Sequence, residues 1–272
     1  MNEISITEKE FWQIVTLLKD KYGINLSQKK NLIVGRLQNH LRRSNFASFS
    51  EFYDHVIGDR TGEAITLLIN KLTTNYTFFL REIEHFDFFR ETVLPHIVKT
   101  EKGKDMRIWS AGCSSGEEPY SIAMCLADFF GSDKGGWDSK ILATDISERV
   151  LSLAAEGKYL SESLESLPAA WRANYFASAG GEYAQVAERL RREVIFRKFN
   201  LMESVFPFKR KFHIIWCRNV MIYFDAPTKK ALIDKFYDQT EPGGYLFIGH
   251  SESIARSDTK YKYVMPAIYR KE

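Results

Sequence analysis

Arg107-Ile108-Trp109-Ser110-Ala111-Gly112-Cys113-Ser114-Ser115-Gly116-Glu117-Glu118-Pro119-Tyr120-Ser121 runs from a short apolar strand, through a turn of small residues, into a helix that opens on two carboxylates. A helix N-terminus after such a turn is already an anion site. A phosphate-binding loop would offer bare backbone N–H groups there, and two glutamates would repel a phosphate. The same two acids suit a ligand carrying hydroxyls, an ammonium or a sulfonium. The loop therefore points away from nucleotide phosphates and towards S-adenosylmethionine.

Outward from this stretch, short apolar runs end in small or polar residues, with helical stretches between them. Met106–Ser110, Ile141–Thr144, Val194–Phe199, His213–Cys217 and Tyr245–Ile248 read as strands, and Glu118–Phe130, Glu148–Glu156 and Thr228–Thr240 as helices. This alternation predicts an α/β class, a doubly wound, mostly parallel Rossmann-like sheet. Glu241-Pro242-Gly243-Gly244 reads as a turn before Tyr245, and Tyr261–Arg270 as one or two closing strands. Residues 157–193 fit the alternation poorly and read as an insertion, a small antiparallel β unit.

Residues 1–95 read as helical. Thr7 and Glu10 form a capping box ahead of Phe11, Ile14, Val15 and Leu18, and Gly23 suits a C-cap. Further helices are expected over Gln28–Arg43, Ser48–Ile57 and Gly62–Leu72. A small all-α domain with its linker, residues 1–90, is thus expected ahead of a sheet domain, residues 91–272.

The strand ends carry the residues with chemistry. Asp145, in Thr144-Asp145-Ile146-Ser147, follows Gly116 by about one helix and a return turn. A carboxylate there can accept from both hydroxyls of a ribose, or Asp145 or Ser147 can cap the next helix. In Asn200-Leu201 an amide could read an adenine edge and a leucine pack on its face; a plain polar turn fits the spacing equally well. Arg218-Asn219 interrupts an apolar run, and such groups need partners, either a ligand or a structural ion pair. Asn75, Thr77 and Arg81 sit among large aromatics, a pattern that also fits a capped helix start.

In this order, the pieces resemble the chemotaxis receptor methyltransferases, which methylate glutamate side chains of bacterial chemoreceptors. The resemblance covers nearly the whole chain. It rests on the helical N-terminal domain, Asn75-x-Thr77-x-Phe79-x-Arg81, Gly116-Glu117-Glu118-Pro119-Tyr120-Ser121, Thr144-Asp145-Ile146, Asn200-Leu201 and Arg218-Asn219-Val220-Met221-Ile222-Tyr223-Phe224-Asp225. Leu80, where the family more often has an aromatic, and the Cys113-Ser114-Ser115 loop are departures that should tune packing. The resemblance implies contacts to S-adenosylmethionine, and to the product S-adenosylhomocysteine, from Asn75, Thr77, Arg81, Asp145, Asn200, Leu201, Arg218 and Asn219. It also implies one from the glutamate pair, Glu118 in preference to Glu117. Arg81 and Tyr223 would lie near the transferred methyl. A carboxylate acceptor is ionised at neutral pH and needs no general base, so Arg81 and Tyr223 would orient it.

Between Lys21 and Ser50 there is no acid, and Lys29, Arg36, His40 and Arg43 fall on one helical stripe. By itself this is a solvated basic face. The resemblance makes it a docking stripe for the acidic helical cytoplasmic domain of a methyl-accepting chemoreceptor. The 157–193 insertion corresponds to a β-subdomain that in some members docks a peptide from the receptor's C-terminus.

The totals bound the alternatives. A net charge of +3 over 272 residues does not mark a nucleic-acid binder. Three cysteines without metal-ligand spacing predict no metal and reduced thiols in the cytoplasm. No run of about 18 apolar residues predicts a membrane span, the N-terminus has no signal-peptide pattern, and nothing demands more than a monomer. A dinucleotide oxidoreductase would need a three-glycine fingerprint that the loop lacks. A scaffold or nucleic-acid module would not need every pocket position filled by a fitting residue type. Transfer to another protein's carboxylate would keep the same chemistry.

Overall fold

The computed structural model describes residues 4–74, 76–131 and 134–272. The chain forms two compact units. One holds residues 4–74 together with Tyr223–Lys229; the other holds Tyr76–Ile222 and Lys230–Glu272.

The first unit contains α1 (Glu8–Tyr22), α2 (Lys30–Arg43), α3 (Phe49–Gly58) and α4 (Glu63–Leu72). The capping box forms: the Thr7 N–H donates to Glu10 Oε2 at 2.8 Å, and the Glu10 N–H to Thr7 Oγ1 at 3.3 Å. Gly23 closes α1 in the left-handed region, at φ 73°. Ser48 caps α3 by accepting from the Glu51 N–H at 3.1 Å. The faces expected from periodicity are buried, with Phe11, Ile14, Leu18, Ile33, Leu37, Leu41, Phe52 and Leu68 forming the core. Asp225 pairs with Lys19 at 3.0 Å, and the Tyr223 carbonyl accepts from the Asn25 N–H at 2.8 Å.

In the second unit, Tyr76–Phe78 is neither helix nor strand. The helix begins at α5 (Ile83–Phe88) and continues through a π turn (Phe89–Val93) into α6 (Leu94–Thr100). Then come β1 (Ile108–Ala111), α7 (Glu117–Phe130), β2 (Ile141–Asp145) and α8 (Glu148–Glu156). An inserted segment holds β3 (Lys158–Leu160), α9 (Ala169–Tyr175), β4 (Phe176–Ser178), β5 (Tyr183–Val186) and α10 (Glu188–Arg191). The chain returns through β6 (Val194–Lys198), β7 (Phe212–Cys217), α11 (Ala226–Gln239), β8 (Thr240–Ile248), β9 (Lys262–Met265) and β10 (Ile268–Arg270).

The main sheet has the order β6-β2-β1-β7-β8-β10-β9. Its first five strands are parallel, and β10 and β9 close it antiparallel. Strand order reverses at β1, which has β2 on one side and β7 on the other, so the loop after β1 opens at the switch point where such sheets bind ligands. The insertion is a separate antiparallel sheet, β3-β5-β4.

One sequence expectation is corrected. Glu241-Pro242-Gly243-Gly244 is not a turn ahead of the strand but lies within β8, and a register shift against β7 accommodates it. The Lys271 carbonyl and N–H bond Gly243 and Gly244 at 2.7 and 2.9 Å, giving this stretch the ladder partners that a turn would lack.

Trp216 and Phe247 stack at 4.2 Å in the core, with Phe86 and Phe89 against Trp216. Cys113, Cys125 and Cys217 are buried free thiols, and burial pushes all three up from the usual thiol range. No helix among the described residues is long and apolar enough to cross a membrane.

Candidate functional site

The turn after β1 is built by steric exclusion. Gly112 and Gly116 have φ of 88° and 97°, where L side chains are strained. A Cβ on Gly112 would lie 2.4 Å from Val220 Cγ2, and one on Gly116 2.8 Å from Ala154 Cβ and 2.9 Å from the Tyr159 hydroxyl. The Gly112 and Cys113 N–H groups both donate to the Thr144 carbonyl, at 2.8 and 2.9 Å, which lashes the turn to the end of β2. Tyr159, from the inserted sheet, donates to the Ser115 carbonyl at 2.7 Å.

Asp145 stands at the carboxyl end of β2. It accepts from the Ser114 N–H at 2.9 Å and the Ser147 N–H at 3.0 Å. Ser147 caps α8, accepting from the Val150 N–H, so Asp145 is not the cap. Burial raises the Asp145 pKa above the usual carboxylate value, against the opposing backbone donors. Beside it, at the end of β6, the Phe199 N–H donates to the Asp145 carbonyl at 3.0 Å, which brings Asn200 and Leu201 to the same edge. Asn200 Oδ1 accepts from the Met202 N–H at 3.0 Å, an Asx turn.

The two glutamates at the start of α7 differ. Glu118 accepts from the Ser110 hydroxyl at 2.7 Å and faces Arg218 Nη1 at 3.3 Å. Glu117 takes the Ser115 hydroxyl, at 2.7 and 3.0 Å to its two oxygens. Burial raises both, and for Glu118 the Arg218 charge opposes the shift. Among the described residues, Glu117 and Asp145 form no ion pair.

Arg218 follows β7 with its side chain 2% exposed. It donates to the Arg81 carbonyl and to Glu82 Oε2, the latter at 3.0 Å, so its charge is held by protein groups. Asn219 is left-handed at φ 60°, and its N–H donates to Glu252 Oε2 at 2.9 Å. Gly249 must be glycine here, since a Cβ would lie 2.5 Å from Asn219 Nδ2. The Arg81 guanidinium donates to the Tyr76 carbonyl at 2.8 Å and lies over the Phe78 ring. Thr77 is half-buried in the irregular segment before it.

The structure thus gathers Glu117, Glu118, Asp145, Asn200, Leu201, Arg218 and Asn219 at the carboxyl edge of β1, β2, β6 and β7, with Arg81 joined through Arg218. Asn75 lies outside the described residues. Tyr223 belongs to the helical unit, where its hydroxyl accepts from the Thr74 N–H at 2.8 Å and reaches the Thr74 carbonyl at 3.2 Å. Lys29, at the start of α2, and Arg43, at its end, are exposed, and His40 packs edge-on against Phe52. Arg36 is occupied: it donates to the carbonyls of Lys71 and Thr73 and to the Thr74 hydroxyl, at 3.3, 2.9 and 3.2 Å. Sequence reading passed over Ser110, Glu82 and Glu252. Glu82 stands next to Arg81 at the start of α5, and Glu252 lies in Gly249-His250-Ser251-Glu252 after β8; for Glu252 a charged residue shortly after a strand end was the available signal.

This donor set fits S-adenosylmethionine. A carboxylate has about four acceptor directions, and Asp145 meets the backbone N–H groups of Ser114, Ile146 and Ser147 while keeping acceptor capacity for a ribose hydroxyl. Glu117 provides negative charge with no cation beside it among the described residues, as an ammonium or sulfonium requires and a phosphate does not tolerate.

Comparison with known proteins agrees. Residues 75–269 match the family model described as CheR methyltransferase, SAM binding domain, and residues 9–73 match CheR methyltransferase, all-alpha domain. The chain is 41% identical over 272 residues to a chemotaxis protein methyltransferase of Borreliella burgdorferi, covering 98% of this chain and 96% of that one. It is 37% identical to chemotaxis protein methyltransferase 2 of Pseudomonas aeruginosa, covering 98% and 94% of the two chains. Against the chemotaxis protein methyltransferase of Escherichia coli it is 32% identical, covering 98% and 92%.

Proposed function

The chain belongs to the CheR methyltransferase family and is an S-adenosylmethionine-dependent enzyme of chemotaxis, and we propose that its acceptors are glutamate side chains of bacterial chemoreceptors, which become methyl esters in sensory adaptation. The observation that carries this reading is the pair of carboxylates, Glu117 and Asp145, that have no cation partner among the described residues and stand beside a left-handed glycine turn.

The bound cofactor supplies an electrophilic methyl on a positive sulfur. Asp145 holds the ribose hydroxyls, and Asn200 and Leu201 take the adenine. Asn75, Thr77, Arg81 and Asn219 complete the cofactor contacts, with Arg218 acting from behind. Glu117 rather than Glu118 holds the cationic end, because Glu118 is taken up by Arg218 and Ser110. Arg81 and Tyr223 orient the acceptor carboxylate. No proton is removed, since a glutamate with a pKa of about 4.3 is already ionised. Proximity and orientation supply most of the acceleration, and a drier site favours a reaction in which charge is neutralised.

The helical unit reads the substrate. Lys29, His40 and Arg43 offer the basic stripe to an acidic receptor helix, with Arg36 bracing α2 against the end of α4. Complementary charge raises the encounter rate more than it deepens affinity. Where a receptor ends in a tethering peptide, the β3-β5-β4 sheet is its dock. The enzyme acts as a cytoplasmic monomer, with neither nucleic acid nor membrane insertion in its cycle.

Incubation with methyl-labelled S-adenosylmethionine and receptor cytoplasmic fragments tests the acceptor. Label released as methanol by mild base identifies a methyl ester, whereas base-stable label or an unlabelled fragment refutes the glutamate assignment.

A further inference from the structure

Glu82 has no part in the chemistry above, yet it bridges three separate segments at the edge of the sheet. Its Oε2 accepts from Arg218 Nη2 at 3.0 Å and lies 3.4 Å from His85 Nδ1, and its Oε1 accepts from the His250 N–H at 3.2 Å. Arg218 also donates to the carbonyl of Arg81. One side chain thereby joins the end of β7, the loop after β8 and the turn that carries Arg81. Leu80, Glu82 and Asn219, around this junction, are left-handed at φ 55°, 57° and 60°. The left-handed region is sterically disfavoured for side chains such as those of Leu80 and Glu82, and is better tolerated by asparagine. Such strain persists only where the surroundings over-determine it.

Glu82, His85 and His250 also bring three ligand-type atoms within 4.8 Å of one another. A metal ion there would compete with the Arg218 guanidinium, which already holds the same carboxylate oxygen. The positive charge that Glu82 serves is therefore that of arginine.

We propose that Glu82 is a positioning residue for methyl transfer. With Arg218 it fixes the main chain of Arg81, so that the Arg81 side chain meets the acceptor carboxylate in register with the methyl donor. This rests on the role given to Arg81 above. Removing the Glu82 charge leaves Arg218 buried with a missing partner and frees the turn to relax.

The test compares Glu82→Gln, Arg81→Ala and the double variant in the full-length enzyme. Active sites are counted by S-adenosylhomocysteine titration, and turnover is measured on receptor fragments. Since a misplacement of about 1 Å can cost a hundredfold, Glu82→Gln should lower kcat by about that factor while cofactor Kd stays within about threefold. Adding Glu82→Gln to Arg81→Ala should then cost little more. Wild-type kcat per active site in Glu82→Gln, or fully additive losses, overturns the proposal while leaving Arg81's role intact. Wild-type kcat in Arg81→Ala overturns both. Should Glu82→Gln not fold, Glu82→Asp, which keeps the charge and shortens the reach, is read by the same criteria.

Discussion

Two neighbouring glutamates of the same chemistry are separated by what holds them. Glu118 faces Arg218, while Glu117 has a hydroxyl and, among the described residues, no cation. Glu117→Gln should raise the Km for S-adenosylmethionine about tenfold or more, the worth of one charged contact, whereas Glu118→Gln should act through stability. Equal Km effects would remove the distinction. The pH dependence follows from the direction of the shift. Burial raises Glu117 in the folded state, so its contribution to stability is full below the unfolded carboxylate pKa of about 4.3 and is lost as pH rises through the folded value. At neutral pH the cofactor-free protein therefore carries a destabilising charge, and Glu117→Gln should raise its melting temperature while weakening the cofactor. Gly116 is constrained sterically: alanine would place Cβ 2.8 Å from Ala154 Cβ at a positive φ. Overpacking and strain together predict a loss of about 2–4 kcal/mol in urea unfolding; a loss under about 1 kcal/mol would contradict the contact.

Among the elements, α2 joins two functions that the sequence showed as one. Arg36 closes the C-terminal end of α4 through three acceptors. Arg36→Ala should cost about 1–2 kcal/mol and leave the salt dependence of receptor methylation largely unchanged. Charge reversal at Lys29 and Arg43 should flatten that salt dependence. If reversing them changes nothing, the basic stripe has no part in docking. Helical periodicity revealed α1 to α4, and the ends of β1, β2, β6 and β7 were legible because short apolar runs stop at polar residues. The stretch Glu241–Gly244 was not, because proline and glycine signal a turn locally while the ladder to Lys271 is a tertiary fact. Tyr76–Phe78 was ambiguous for the same reason. Its alternative to a helix depends on Leu80, whose N–H finds the Ser121 hydroxyl at 3.1 Å across 41 residues. Nor could spacing reveal that Arg218 is clasped by Glu82 and Glu118, since they lie 136 and 100 positions before it.

For the molecule as a whole, the chain path matters more than composition. The helical unit is discontinuous, because Tyr223–Lys229 returns to it through Asn25, Lys19 and Thr74. A fragment covering residues 76–272 would strip this segment of those partners. It should melt below the intact protein, and supplying residues 1–75 in trans should restore part of the difference; equal melting temperatures would show that the return segment contributes nothing. The three shielded cysteines have a practical corollary. Cys113 sits in the turn after β1 and Cys217 at the end of β7, so alkylating reagents can reach them only when the edge of the sheet breathes. Sulfhydryl labelling is then a stopwatch for that opening, and saturating S-adenosylhomocysteine should slow it.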